Sequence, residues 1–147
     1  MRFRVTPPLV FLLTLAAMYV LARYVPLWRF DFPGKVLLEW VFSLMAVGFA
    51  LAGIMAFARA KTAINPKKAS RLVTSGVYRY SRNPIYLGLL LLLVAIFLNL
   101  SALSSLIMIP VFVFYMNSVQ IAAEERVLTH AFGQQYIEYC QHVRRWC

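Results

Sequence analysis

The chain has 147 residues, of which 62% are hydrophobic and 14% charged, and its mean hydropathy is +0.71. At that composition there is too little polar side chain to cover a water-soluble globule, so a soluble domain is excluded. Fifteen Lys and Arg against five Asp and Glu leave a net charge of +10; in a soluble protein this would point to nucleic acid, but beside long apolar runs it reads as basic flanks that orient a membrane protein, with lipid and not nucleic acid as the partner.

The first apolar run extends from Leu9 to Ala22 without a charge and is predicted to continue through Arg23 towards Trp28, by snorkelling and aromatic anchoring. Arg2 and Arg4 ahead of it resemble a charged leader, but no small-x-small cleavage site follows, so a retained span is expected. The second run, Val36 to Ala58, is interrupted only by Glu39 near one end. From Asn83 to Ala123 there is no charged residue at all. As one helix that stretch would measure roughly 60 Å, twice the hydrocarbon thickness of a bilayer. It must fold back, and Asn99-Leu100-Ser101 is the polar turn signal near its middle. Pro110 is expected to kink the second arm.

The predicted fold is therefore an all-α integral membrane protein with four transmembrane helices, the last two forming a C-terminal hairpin. The connection from Arg59 to Arg82 carries Arg59, Lys61, Lys67, Lys68, Arg71, Arg79 and Arg82 with no acid, which places it in the cytoplasm. With four crossings both termini lie on that same side. After Glu124, apolar residues recur at helical spacing on either side of Gly133, which predicts a pair of amphipathic cytoplasmic helices. No repeat or linker divides residues 1–147, so one domain is expected: a loop over about 60–86, the hairpin over about 84–123, and an amphipathic segment over about 124–147. A bacterial inner membrane is the expected location, from the small size of the chain.

Polar residues gather in two places, the loop from Lys61 to Tyr86 and the stretch from Asn117 to Arg126. Hairpin arms are antiparallel, so Arg82-Asn83-Pro84 at the start of one arm and Glu124-Glu125 at the end of the other reach the same interface side by side. His130, His142, Cys140 and Cys147 are too irregularly spaced, on a solvated segment, to predict a metal site.

The loop reads Leu72-Val73-Thr74-Ser75-Gly76-Val77-Tyr78-Arg79-Tyr80-Ser81-Arg82-Asn83-Pro84-Ile85-Tyr86-Leu87-Gly88, and it is followed by Glu124-Glu125, Phe132-Gly133-x-x-Tyr136 and Val143-Arg144-Arg145-Trp146. In that order and spacing the chain resembles, from about Lys61 to Trp146, the isoprenylcysteine carboxyl methyltransferase-like family, which is similar in turn to the phospholipid methyltransferases. The resemblance implies an integral-membrane methyltransferase using S-adenosylmethionine, and no Gly-rich strand-turn-helix signature of a soluble cofactor domain is present.

By that resemblance the cofactor contacts fall at Ser70, Arg71, Leu72, Val73, Tyr78, Asn83, Pro84, Ile85, Tyr86 and Glu124. Each suits part of a ligand that carries an ammonium, a carboxylate, a sulfonium and an adenine. Glu124 is the candidate for the ammonium, with Glu125 either sharing it or pairing with Arg82; Arg82 and Glu125 form the candidate catalytic pair. Asn83, with Arg82, would hold the carboxylate, Tyr78 and Tyr86 would supply aromatic faces, and Gly76 would let the backbone turn closely around the adenosine. The prenylcysteine enzymes carry Arg-His-Pro where this chain has Arg82-Asn83-Pro84, and an arginine they place near the substrate falls at Gln120. These departures bear on the acceptor rather than the cofactor: an amphiphilic or small apolar thiol, carboxylate or amine is expected to meet Asn117 and Gln120. Two readings from other classes compete: a membrane reductase using NADPH, to which the basic loop is suited, and a non-enzymatic scaffold whose loop charges serve only lipid headgroups.

Overall fold

The computed structural model describes residues 6–147, so Arg2 and Arg4 of the expected basic flank lie outside the described residues. Six α-helices follow in order: α1 (Pro7–Tyr24), α2 (Lys35–Arg59), α3 (Pro84–Leu100), α4 (Met108–Tyr115), α5 (Ala122–Phe132) and α6 (Gln134–His142). Among the described residues there is no strand, only one isolated bridge between Arg29 and Ala102.

Among the described residues, three helical stretches are long and apolar enough to cross a membrane: Pro7–Tyr24, Lys35–Arg59 and Leu103–Phe132. The fourth expected crossing, α3, is uncharged throughout but has 17 residues. That length is about 25 Å, short of the ~30 Å of hydrocarbon. Pro7 opens α1 where a missing N–H has no helical partner to lose. The helix stops at Tyr24, not near Trp28 as its apolar run suggested, because Pro26 drives Val25 out of helical conformation, to φ −131 and ψ 56.

The chain reverses after α3 at Ser101, in left-handed conformation at φ 52. The Ser101 hydroxyl accepts from Lys35 Nζ at 2.8 Å, and its carbonyl accepts from Phe30 N–H at 3.1 Å. Leu103 N–H donates to Leu27 at 3.0 Å, so the α1–α2 connection and the α3–α4 turn are fastened together at one end of the molecule. Pro110 does not kink a helix interior. A 3-10 turn at Leu103–Ile107 precedes α4, so Pro110 sits in the first turn of α4, where its ring meets no regular α-helical turn before it. The irregularity lies further on: Met116–Ile121 is π-helical and joins α4 to α5 without a break.

The helices pack through small residues and a compact apolar centre. α2 and α3 lie so close that a Cβ on Gly88 would stand 2.7 Å from the Ala46 carbonyl oxygen. Such close approach between apolar helices is a gain in dispersion contact, since lipid already solvates their outer faces. Met18 of α1, Leu93 of α3 and Phe112 of α4 are buried together with Met116 and Ile121 of the π-helical segment. Trp40, Leu44 and Phe114 point outward, exposed as lipid-facing side chains are. Gly133, at φ 53 and ψ −128, adopts a conformation open essentially to glycine alone and separates α5 from α6, as the spacing predicted.

Candidate functional site

At the end opposite the Ser101 turn, a cavity of about 490 Å³ opens between the start of α1, the end of α2, the loop that follows it, the first turns of α3, and α5 with α6. Ten of the residues singled out from the sequence line it: Arg71, Leu72, Val73, Tyr78, Arg82, Asn83, Ile85, Tyr86, Glu124 and Glu125. The antiparallel arms therefore do bring positions 82–86 and 124–125 together.

Three others stand behind the lining. Ser70 donates to the Thr62 hydroxyl from both its N–H (2.9 Å) and its side chain (3.2 Å), and Arg71 N–H reaches the same oxygen at 3.3 Å, which folds the loop back on the end of α2. Gly76, at φ 62, opens the 3-10 turn Gly76–Arg79 that delivers Tyr78 to the cavity. Pro84 is fully buried as the first residue of α3. Asn117 and Gln120 do not line the cavity. Asn117 Oδ1 accepts from the Trp146 indole at 3.0 Å, and Gln120 Nε2 donates to Glu124 Oε1.

The two adjacent glutamates have different surroundings. Glu124 Oε1 also accepts from the Tyr86 hydroxyl at 2.6 Å, which ties the first turn of α3 to α5. Glu125 takes Arg145 at two points, Nε to Oε1 at 2.9 Å and Nη2 to Oε2, and takes Arg82 Nη1 at 3.1 Å. Of the two expectations for Glu125, the pairing with Arg82 is the one seen as a contact. The Arg82 and Glu125 side chains are 14% and 20% exposed, so these contacts are shielded from bulk water. Arg82 Nη1 also lies against Cys140 Sγ, while Arg82 Nε is buried with no protein acceptor. Hydrogen bonding to Glu125 holds the Arg145 guanidinium even more firmly protonated than usual.

Tyr78 is buried edge-on against Phe57, with ring centroids 5.3 Å apart. Burial pushes its phenol well above the ordinary tyrosine range, and the nearby Tyr139 and Glu124 add to that. Tyr139 donates to the Tyr78 carbonyl at 2.6 Å, and burial likewise raises the Tyr139 phenol, with Arg82 opposing.

The sequence does not single out Arg145, Trp146, Tyr139 or Thr62 as site residues. Arg145 and Trp146 fall in the motif Val143-Arg144-Arg145-Trp146, but their partners are 20 and 29 residues away, and nothing in local spacing announces such a pairing.

A family model described as phospholipid methyltransferase matches residues 36–135. Over 80 residues the chain is 38% identical to protein-S-isoprenylcysteine O-methyltransferases A and B of Arabidopsis thaliana, a match covering 54% of this chain and 41% of each of theirs. It is 42% identical over 62 residues to an uncharacterised protein of Haemophilus influenzae, covering 42% of this chain and 98% of that protein. The aligned part thus spans about two-fifths of the length of the Arabidopsis proteins, and no solved structure matches. With a match that runs from the start of α2 to the start of α6 and takes in the cavity's loop and both glutamates, this integral-membrane chain belongs to the phospholipid methyltransferase family.

Proposed function

We propose that the cavity binds S-adenosylmethionine and that the protein transfers its methyl group to an amphiphilic or small apolar acceptor. The observation that carries this reading is the pairing of an acidic and a basic group on one shielded wall: Glu124 on one side, and Arg82 with its unaccepted Nε on the other. An amino-acid ligand needs both, an anion for its ammonium and a donor for its carboxylate. The volume of about 490 Å³ lies within the ~300–1,000 Å³ of small-molecule and cofactor sites.

When bound, S-adenosylmethionine supplies an electrophilic methyl group on its sulfonium. Glu124 would hold the ammonium, oriented by Tyr86 and Gln120. Arg82, beside Asn83, would receive the carboxylate, although the Asn83 amide already donates to the Arg145 carbonyl at 3.0 Å. Tyr78 and Phe57 would offer aromatic faces, and Arg71, Leu72, Val73 and Ile85 would close over the nucleoside. In-line transfer asks chiefly for alignment and exclusion of water, and the apolar lining provides both. Gln120 would act on the acceptor's reaction at one remove, through Glu124, while Asn117 supports the wall through Trp146.

The acceptor would arrive from the bilayer. Phe11 and Leu12 of α1 and Leu89 of α3 line the cavity, and in this reading they would form its membrane side. A lipid-tailed thiol, carboxylate or amine could present its head group there while its tail stays in hydrocarbon. The basic loop after α2 supports a cytoplasmic site, with four crossings and both termini on the same side in a bacterial inner membrane. A screen with methyl-labelled S-adenosylmethionine should compare tailed acceptors with water-soluble analogues of the same head group. Transfer confined to tailed acceptors is expected; equal turnover of both would contradict access from the bilayer, and transfer to neither would contradict this acceptor class.

A further inference from the structure

The segment after α6 lies beyond the family match, yet it is bonded to residues that line the cavity. Arg82 N–H donates to the Arg144 carbonyl at 3.0 Å, and the Arg145 carbonyl accepts from Asn83 Nδ2 at 3.0 Å and Ser81 Oγ at 3.3 Å. Three consecutive residues, of which Arg82 and Asn83 line the cavity, are thus bonded to two consecutive residues of the tail. Ser81 is 1% exposed, so the junction is a packed one. Trp146 completes it, packing against the central apolar cluster and donating to Asn117.

The side chain of Arg145 adds an electrostatic consequence. Two guanidinium groups share the single carboxylate of Glu125, so this group of three carries a net positive charge. Without Arg145, Glu125 would neutralise Arg82 one to one, and the pull of this group on an anion would weaken. The two-point contact also fixes the plane of the Glu125 carboxylate, and through it the direction of the Arg82 guanidinium.

We propose that Arg145 is a positioning residue for cofactor recognition: by holding Glu125 in a two-point ion pair and bonding the tail to positions 81–83, it keeps the group of Arg82, Glu125 and Arg145 positive on balance and Arg82 aimed at the carboxylate of the bound cofactor. This rests on the assignment of the cavity to S-adenosylmethionine. It differs from a merely structural role in one respect: only ligands that carry the carboxylate should sense it.

The test measures equilibrium binding of S-adenosylhomocysteine, and of methylthioadenosine, which lacks the amino-acid group, to detergent-purified wild type, Arg145→Gln and Arg145→Lys. In Arg145→Gln the affinity for S-adenosylhomocysteine should fall about tenfold, as for loss of a charge-assisted contact, with methylthioadenosine binding unchanged. Arg145→Lys keeps the charge but not the fork, and its loss should be about two- to threefold and again confined to S-adenosylhomocysteine. Equal losses for both ligands would overturn the proposal in favour of a structural tail, and no loss for either would overturn it outright. If Arg145→Gln is not recovered folded, the ratio of the two affinities in Arg145→Lys decides: a reduced ratio supports the proposal and an unchanged one contradicts it. Wild-type protein that binds neither ligand would instead overturn the cofactor assignment on which it stands.

Discussion

The Tyr86 hydroxyl donates to Glu124 Oε1 across 2.6 Å, which makes the first turn of α3 and the start of α5 one wall of the cavity. Gln120, one helical turn before Glu124, donates to the same oxygen from the π-helical segment. Two donors on one carboxylate oxygen fix its orientation. Single π-helical turns within longer helices often occur at functional sites, and this one ends three residues before Glu124.

α2 and α3 pack closely at Gly88, where the nearest neighbour is backbone. Gly88→Ala places a methyl 2.7 Å from the Ala46 carbonyl oxygen, a backbone atom that yields only if the helices part. Overpacking of this kind should destabilise by about 1–3 kcal/mol. Gly48→Ala, with nothing within 4 Å of the added carbon, is the control. Thermal unfolding in detergent should show a lowered midpoint for Gly88→Ala alone; equal midpoints would contradict the close contact.

The turn at Asn99 to Ser101 should face the side opposite the cavity. Asn99 is exposed and follows the apolar run of α3. Asn99→Cys, with Cys140 and Cys147 replaced by serine, should react with an impermeant thiol reagent added outside intact cells. Labelling only after lysis would contradict the four-crossing arrangement.

Alkaline pH should loosen α6 from the loop. The Tyr78 and Tyr139 phenols are held above their ordinary range by burial, so the folded state keeps protons that the unfolded chain releases near pH ~10. The stability these groups contribute is complete below that pH and is lost as pH rises towards their folded values. Unfolding midpoints should fall above pH ~10, with tyrosinate absorbance rising in step. Tyr139→Phe, which loses the bond to the Tyr78 carbonyl, should be less stable at neutral pH by about 0.5–1.5 kcal/mol, and its midpoint should fall less steeply with pH. An equally steep fall in the variant would remove Tyr139 from this account.

Much of this architecture is legible in the sequence because charge and apolar length are one-dimensional quantities. The uncharged run from Asn83 to Ala123 is too long for one crossing, so it turns, and the turn brings Arg82 and Glu125 to a 3.1 Å ion pair. Helix ends needed more: Pro26 stops α1 before the apolar signal fades, and the 3-10 turn at Leu103–Ile107 puts Pro110 at a helix start. The tail was illegible for a different reason. Arg145 reads as one more basic residue near a membrane, and only the return of the chain after α6 shows that it serves Glu125. Gln120 reads as an acceptor contact because, by the family resemblance, it falls where an arginine near the substrate stands; in the structure its amide donates to Glu124, one turn along the same helix.

The measurement that bears most directly on the cofactor assignment is equilibrium binding of labelled S-adenosylmethionine to detergent-purified protein, with NADPH as competitor, in wild type and Glu124→Gln. Wild type should bind it and NADPH should not displace it. Glu124→Gln should bind about ten- to a hundredfold more weakly, the effect of removing a charge-assisted contact of roughly 1.5–3 kcal/mol, and Tyr86→Phe should lie between the two. Displacement by NADPH, or a folded Glu124→Gln protein with undiminished affinity, would contradict the account.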